Sequence, residues 1–508
     1  MLGAVNHENL PAIRGAAVLL LVLPWLNPLS YGPTPAVGQG LATWFAASWC
    51  WMLWVVAGQG YTVRVQAVSA AWLTAAVISA AMGLLQYLGL ANALSPWVDF
   101  VEAGQAFANL RQRNQLATLL GIGLSALLWW QVQLADRAPA RRERLLYIGL
   151  LAFCGALLVA ADAASGSRTG MVQLFALLAL ALVWQRGRST MLWALAGYGL
   201  AALLLPRLIA LAPLQSGILG RVSEAPYGCG SRLTLWSNVL DLIAQKPWLG
   251  WGWGELHYAH FITLYPGERF CEIMGNAHNL PLQLAVELGV PAALLVCGAL
   301  AWWVARAKPW RERDATRQMA WSVLVVIGAH SLLEYPLWYG PFQVAAMLAV
   351  WMLWQTRPGT EKTSAPPIGS IAPMVLAMGI VFACSYTAWD YWRISQIYLP
   401  LSQRATTYRE DTLYKIRASW LFGSQVKFAE LGTTPLTVAN AEHVHALAKE
   451  MLHFSPEVSV VQKLIDSAML LGLNEEVGYY EKRFNAAYPQ EYAARLATKG
   501  SGSRHKAP

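Results

Sequence analysis

The chain has 508 residues, of which 56% are hydrophobic and 13% charged, with a formal net charge of +9. That balance excludes an ordinary soluble protein, because a compact domain has too little interior to hide so much apolar surface. The basic excess falls in a few short linkers, where it reports topology and not a nucleic-acid footprint.

Apolar runs of about 17–25 residues, each the length a helix needs to cross roughly 30 Å of hydrocarbon, follow one another along the chain. They lie at 12–27, 40–58, 66–87, 114–133, 145–162, 170–184, 190–205, 286–305, 318–334, 341–355 and 368–388. The fold class is therefore all-α, a polytopic membrane protein with about eleven transmembrane helices. No small-residue cleavage site follows the first run, which reads as a retained span.

With the N-terminus inside, Arg64, then Arg137, Arg141, Arg142 and Arg144, then Arg186 and Arg188 fall on the cytoplasmic side, as do Arg306, Lys308, Arg311, Arg313 and Arg317, and Arg357 and Lys362. The opposite linkers "NPLSYGPTPAVGQG" and "EYPLWYG" carry no Lys or Arg. This topology puts the long loop at 206–287 and everything after residue 388 outside, which is the periplasm if the membrane is the inner membrane of a Gram-negative bacterium.

The loop at 206–287 is far longer than a helix connection requires, and such loops commonly carry function. Within it "RLTLWSNVLDLIAQ" reads as an amphipathic helix lying on the membrane, with Leu233, Trp236, Leu240 and Ile243 on one face. "KPWLGWGWGE" breaks that helix with Pro247 and three glycines, giving a tight turn rich in Trp. Cys229 and Cys271 share the loop in an oxidising compartment and are expected to form a disulfide. No CxxC or HxxxH spacing accompanies them to hold zinc. Cys50, Cys154, Cys297 and Cys384 fall inside apolar runs, where a thiol behaves as a small hydrophobe.

The segment 389–500 changes character to a soluble helical region. "ANAEHVHALAKEMLHFSP" and "VSVVQKLIDSAMLLGLNEEVGYYEKRFNAAYP" place apolar residues at helical spacing, with Asn, Pro and Gly at the breaks. The second reads as a helix–turn–helix pair of the tetratricopeptide kind, suited to packing or to holding a polypeptide partner. Residues 501–508 read as a disordered tail. The organisation is thus a transmembrane domain at 1–388, containing the 206–287 loop, then a periplasmic helical region and the tail.

Four polar clusters gather at the external ends of spans, where burial of ionisable groups is costly and usually functional. "NLRQRNQLATLL" brings Arg111, Gln112, Arg113 and Asn114 to the fourth span, with Asn114 placed to cap its helix. In "ASGSRTGM", Ser165, Gly166 and Ser167 offer backbone N–H groups beside Arg168, a combination that cradles anions. Arg232 follows Cys229 and gains a fixed position from the expected disulfide.

The fourth cluster is "NAHN", where His278 precedes Asn279, a helix cap, and Pro281, which suits a first helical turn. The positive end of that helix dipole disfavours imidazolium, so the ring is expected to accept a proton. Asn279, Gln283 and Glu287 recur every four residues, a polar stripe expected to line the site below. "AHSLLEYPLWYGPF" adds His330, Glu334, Tyr335 and Tyr339 where Pro336 stops the ninth span. Glu334 is placed to orient an imidazole or pair with an Arg, and His330, one turn deeper, reads as structural. Each cluster has a plain structural alternative, such as arginines snorkelling to lipid phosphates or a histidine bonded into its loop.

No Walker loop, GxGxxG after a strand, acidic DxD-like pair or HExxH is present, so neither a nucleotide, a metal nor another cofactor is expected. Several external arginines and one proton-accepting histidine suit an anionic substrate embedded in lipid and an attacking hydroxyl. A polyprenyl diphosphate sugar meets that description, with arginines holding the diphosphate and His278 acting as base.

The segments "RQRNQLATLL", "SGSRTG", "SRLTLW", "KPWLGWGWGEL", "NAHNLPLQLAVELGV" and "HSLLEYPLWY" resemble the successive motifs of the bacterial O-antigen ligase/polymerase superfamily. More narrowly they resemble its PglL-type O-oligosaccharyltransferases, which transfer a glycan en bloc from undecaprenyl diphosphate to Ser or Thr of pilins and other periplasmic proteins. The resemblance implies that His278, Arg168 and Arg232 are the catalytic residues, that Gln112 and Tyr335 act with them, and that the transfer is inverting and metal-independent. Arg113, Asn114, Asn279 and Glu334 complete the candidate substrate-binding set. The runner-up is a ligase directed to the lipid A core; a glycan polymerase follows, and a polytopic exporter is a distant third, since the polar residues gather at one face and no internal repeat is visible.

Overall fold

The computed structural model describes residues 10–29, 32–137, 139–210, 228–356 and 371–504, and among these residues there is no strand. Arg357 and Lys362, the start of the long loop through residue 227 and the tail beyond residue 504 lie outside the described residues.

Among the described residues every one of the eleven apolar runs is helical, the run at 286–305 being divided between two helices. In chain order the helices are α1 (Leu10–Leu26), α2 (Pro35–Val56), α3 (Tyr61–Tyr87), α4 (Arg113–Arg137), α5 (Arg141–Ser165), α6 (Arg168–Trp184) and α7 (Arg188–Leu208). Then come α8 (Arg232–Gln245), α9 (Leu256–Ile262), α10 (Leu280–Leu288), α11 (Val290–Ala307), α12 (Ala315–Ser331), α13 (Gly340–Gln355) and α14 (Ile371–Ser395). The C-terminal region holds α15 (Thr412–Ile416), α16 (Gly423–Thr433), α17 (Ala441–Met451), α18 (Val458–Leu470), α19 (Asn474–Ala487) and α20 (Pro489–Arg504). Among the described residues six helices are long and apolar enough to cross a membrane: α3, α4, α5, α7, α11 with the turn after it, and α14.

Packing divides the chain into two units, 1–224 with 304–388, and 225–303 with 389–508. In the first unit α4 is central, touching α3, α5, α6 and α12. Of its apolar window 78% is buried, against 28% for α5 and for α7, whose remaining apolar surface suits lipid. Small residues let the helices approach closely: a Cβ on Gly123 would stand 2.3 Å from that of Ala76 on α3.

The second unit has two apolar cores. One joins Leu235, Val239 and Leu242 of α8 to Leu256 and Ala259 of α9, Phe270, Met274, Ala277 and Val286. The other seats Phe261 of α9 among Val444, Leu447, Val461, Leu464 and Phe484 from α17 to α19. The short helix α9 therefore serves both cores, and the loop residues from 228 onward pack with the C-terminal helices. In that region α18 and α19 form a helix–turn–helix about Gly472, whose φ of 71° suits glycine.

The buried stripe of α8 is Leu235, Val239 and Leu242. Of the expected apolar face, Trp236 and Ile243 pack partly buried against this same core, while Leu233 and Leu240 are 53% and 55% exposed. The helix opened by Asn279 is separate from the apolar span that follows: it ends at Leu288, and Gly289, at φ 90°, divides it from α11. The Trp-rich turn wraps this break, with Trp251 N–H donating to Val286 O at 2.8 Å and Val290 N–H to Pro247 O at 2.8 Å. A Cβ on Gly289 would lie 2.1 Å from the Trp248 carbonyl oxygen, so only glycine fits.

Candidate active site

In the first unit the candidate residues meet at one end of α4, α6 and α12. Asn114 is the second residue of α4 and not its cap. Its amide instead bridges three elements: Nδ2 donates to Glu334 Oε1 at 3.2 Å, and Oδ1 accepts from Ser167 Oγ at 2.7 Å. Four residues along the same face, Thr118 Oγ1 donates to the Asn114 carbonyl at 2.8 Å, accepts from Gln173 Nε2 at 2.8 Å and meets His330 Nδ1 at 2.8 Å. A hydroxyl has one proton and two lone pairs, so all three contacts are satisfied when His330 carries its proton on Nδ1 and donates to Thr118. His330 is fully buried, in keeping with the structural role expected for it. Thr118 and Gln173 were not singled out from the sequence, although the Asn114–Thr118 spacing marks one polar helix face.

Ser167 caps α6, its Oγ accepting from Gly170 N–H at 3.0 Å. The expected cradle of open amides is not there: Gly166 N–H donates to Ala163 O and Ser167 N–H to Ser165 Oγ, both at 3.1 Å. A tight C-terminal turn of α5 consumes those donors, and Arg168, the first residue of α6, is exposed. Gly170 is required where it stands, because a Cβ would fall 2.3 Å from Oδ1 of the buried Asp162.

Arg111 pairs with Asp99 at 2.6 Å, Arg113 lies over the Phe107 ring at 5.4 Å, and Gln112 is half-buried with its carbonyl accepting from Leu116 N–H. Tyr335 and Tyr339 stack with ring centres 6.0 Å apart, and burial pushes both phenols up from their usual range, which keeps them neutral hydrogen-bonding groups.

In the second unit the backbone around His278 is held residue by residue. Ala277 N–H donates to Gln283 Oε1 at 2.7 Å, and Ala277 O accepts from Trp236 Nε1 at 3.0 Å. His278 N–H donates to Asn276 Oδ1 at 2.8 Å, and Asn279 Oδ1 caps α10 by accepting from Leu282 N–H at 3.1 Å. His278 itself sits at φ 50°, a left-handed conformation that costs a non-glycine residue about 1 kcal/mol and persists only where its surroundings enforce it. Gln283 and Glu287, expected to line the site, are instead buried braces: Glu287 Oε1 accepts from Gly254 N–H at 2.9 Å, tying α10 to the Trp-rich turn.

Arg232 opens α8, whose cap Ser231 accepts from Thr234 N–H at 3.1 Å. Just before it, Cys229 and Cys271 are disulfide-bonded, with Cα atoms 5.2 Å apart. Trp236, four residues beyond Arg232, holds the Ala277 carbonyl, so the arginine's helix and the histidine's loop are directly joined.

Two further residues that the sequence did not disclose fix the outer part of this loop. Asn238 clamps it to α8 by donating to Glu268 O at 2.9 Å and accepting from Phe270 N–H at 2.8 Å. His260 Nε2 donates to Phe270 O at 3.1 Å, which leaves Nδ1 to accept from Tyr265 OH at 2.8 Å. Burial, reinforced by the Arg269 charge and partly offset by the Phe270 bond, lowers its pKa to about 3.

Three family models match successive parts of the chain. Residues 106–130 match one described as a protein glycosylation ligase, 153–297 one described as O-antigen ligase, and 318–500 one described as the C-terminal part of a virulence factor membrane-bound polymerase. All three descriptions fall within the bacterial O-antigen ligase/polymerase superfamily, which the chain resembles. Within this superfamily it resembles the PglL type. It is 26% identical over 345 residues to the general O-oligosaccharyltransferase of Acinetobacter baylyi, covering 65% of this chain and 57% of that protein. It is 24% identical over 250 residues to the ComP-specific O-oligosaccharyltransferase of the same organism, covering 47% and 42%. With the O-antigen ligase of Pseudomonas aeruginosa it shares 29% over 266 residues, covering 51% and 56%. The matched segments span about half the length of these superfamily relatives.

Proposed function

We propose that this protein is a glycosyltransferase that moves an oligosaccharide en bloc from undecaprenyl diphosphate to Ser or Thr hydroxyls of periplasmic, pilin-like proteins. In this reading eleven of its helices cross the inner membrane, and the His278 loop and C-terminal helices, the latter of the tetratricopeptide kind, lie in the periplasm. His278 takes the proton of the acceptor hydroxyl as its oxygen attacks the anomeric carbon from the face opposite the diphosphate. The bond from that carbon to the diphosphate oxygen breaks, the lipid diphosphate leaves with the electron pair, and Arg168 and Arg232 take up its charge. Gln112, Arg113, Asn114, Asn279, Glu334 and Tyr335 bind or orient donor and acceptor. The donor carries its own activation, so no nucleotide or metal is needed.

The observation that carries the reading is the strained, fully braced backbone of His278 at a capped helix start. A histidine serving only the loop's packing needs no left-handed backbone enforced by Asn276, Gln283, Trp236 and Asn279. The reading is tested by reconstituting the purified protein with an undecaprenyl-diphosphate glycan and two acceptors, a pilin and lipid A core. Glycan on pilin Ser or Thr supports it; transfer to lipid A core alone establishes the second reading, an O-antigen ligase, which the 29% identity to the Pseudomonas aeruginosa O-antigen ligase favours.

A further inference from the structure

Helices α4, α6 and α12 are bonded together at one end through Asn114, Thr118, Ser167, Gln173, His330 and Glu334. Toward their other end they part, and with the start of α7 they enclose a cavity of about 440 Å³. Its inner wall is mixed: the buried side chains Ser125, Gln318 and Ser322 of α4 and α12 border it beside Leu128, Leu177 and Met319. Ser322 lies seven residues beyond Ala315, so the cavity reaches roughly 10 Å in from the end of α12 at 1.5 Å per residue.

The mouth carries one charge of each sign. Arg186 borders it with its guanidinium held by Nη1 bonds to Arg313 O at 3.1 Å and Gln318 Oε1 at 3.3 Å. Asp136, near the end of α4, is exposed and forms no ion pair among the described residues. Two indoles of the lining, Trp129 and Trp184, donate to Thr316 Oγ1 at 3.1 Å and Pro309 O at 2.8 Å. Amphipathic rings anchored this way mark headgroup depth, and the neighbouring Arg137, Arg141, Arg188, Arg311 and Arg313 make the surrounding linkers basic.

We propose that this cavity is a binding site for the headgroup of a zwitterionic glycerophospholipid, one carrying a phosphate and a primary ammonium a few bonds apart. The planar fork of Arg186 matches the phosphate, the Asp136 carboxylate takes the ammonium, and the Ser322 hydroxyl and the second N–H of Gln318 meet the ester oxygens. An anionic headgroup without an amine would leave Asp136 facing a like charge.

The test is native mass spectrometry of the delipidated full chain in detergent, titrated with phosphatidylethanolamine, with phosphatidylglycerol, and with phosphoethanolamine lacking acyl chains. One phosphatidylethanolamine is expected to bind in preference to phosphatidylglycerol. Asp136→Asn should weaken it about fivefold, the size of a partly exposed ion pair, and Ser322→Leu should weaken it as well, by narrowing the inner end of the cavity and removing its hydroxyl while leaving both charges. Arg186→Gln also removes the tie to Arg313, so the other two variants, checked for an unchanged thermal transition, decide the outcome. Undiminished retention by Ser322→Leu, or equal binding of the two lipids, overturns the site. Phosphoethanolamine binding as tightly as the lipid overturns the lipid assignment in favour of a soluble ligand.

Discussion

The two regions that carry the candidate residues hold them by opposite means. At the end of α4, α6 and α12, side chains bond to side chains across helices, with Thr118 as the shared partner. Around His278, side chains bond to backbone: Gln283 and Trp236 take the two polar groups of Ala277, and Asn279 caps α10. In the first region the helices are rigid already and the polar groups need only satisfy one another inside the bundle. In the second the backbone is irregular, so its position has to be built from braces, glycines and a disulfide. The first region should therefore lose stability when a partner is removed, and the second should lose geometry.

The largest effect expected is on the loop. Replacing both Cys229 and Cys271 by Ser frees a segment with a sequence separation of 42. In the chain-entropy account a closed loop of that size contributes about 4 kcal/mol. Urea titration should show the second unit destabilised by about that much, and donor binding should weaken if the disulfide fixes Arg232, whereas hydrogen exchange of α4 amides should be unchanged. Equal loss in α4 would erase the distinction between the regions.

Next comes Gly289→Ala, which places a Cβ against the Trp248 carbonyl at a backbone φ of 90°. It should cost about 3 kcal/mol, read as a lowered thermal midpoint. Thr118→Val keeps the shape of the side chain but removes the partner of Gln173 and His330. A loss of about 2 kcal/mol is expected, the desolvation cost of buried unpaired groups, with glycan transfer retained at temperatures where the variant is folded. Gln283→Leu, which orphans the buried Ala277 N–H, should cost a similar amount of stability and in addition lower kcat, because it releases the residue before His278. If the two variants behave alike in both measurements, the regions are not built on different principles.

The effect smallest at any one step is a pH dependence from His260, because it is spread over several pH units. Its folded pKa is depressed to about 3, below the ordinary value of about 6.5, so the fold keeps the ring neutral. The stability this contributes is complete above the unfolded pKa and is lost as pH falls from about 6.5 towards 3, by at most about 1.4 kcal/mol per unit. Acid titration of the thermal midpoint should show that slope, and His260→Gln should flatten it.

Much of the helical layout was legible because apolar run length alone dictates it, and the cap at Asn279 followed from local chemistry. What was not legible depends on contacts distant in sequence. The apolar run from 286 gives no sign that Gly289 breaks it, since the break is enforced by the Trp248 carbonyl. Asn114 looks like a cap by position, but Ser167 and Glu334, 53 and 220 residues away, take its amide. The amides of "SGS" look open in sequence and are consumed by the turn they make. Leu235, Val239 and Leu242 were not legible as the buried stripe of α8, because a helix with two apolar edges cannot reveal which one the loop will cover. His260 and Asn238 have partners within one loop, yet nothing in their spacing points to Phe270.

The central claim is that the braced backbone of His278 presents a catalytic base. Glycan transfer should be measured for the reconstituted wild type and His278→Ala with an undecaprenyl-diphosphate donor, after showing that the two share the disulfide and the same thermal transition. A loss of at least about 100-fold, the contribution of a positioned general base, is the predicted result; transfer at the wild-type rate would contradict the account.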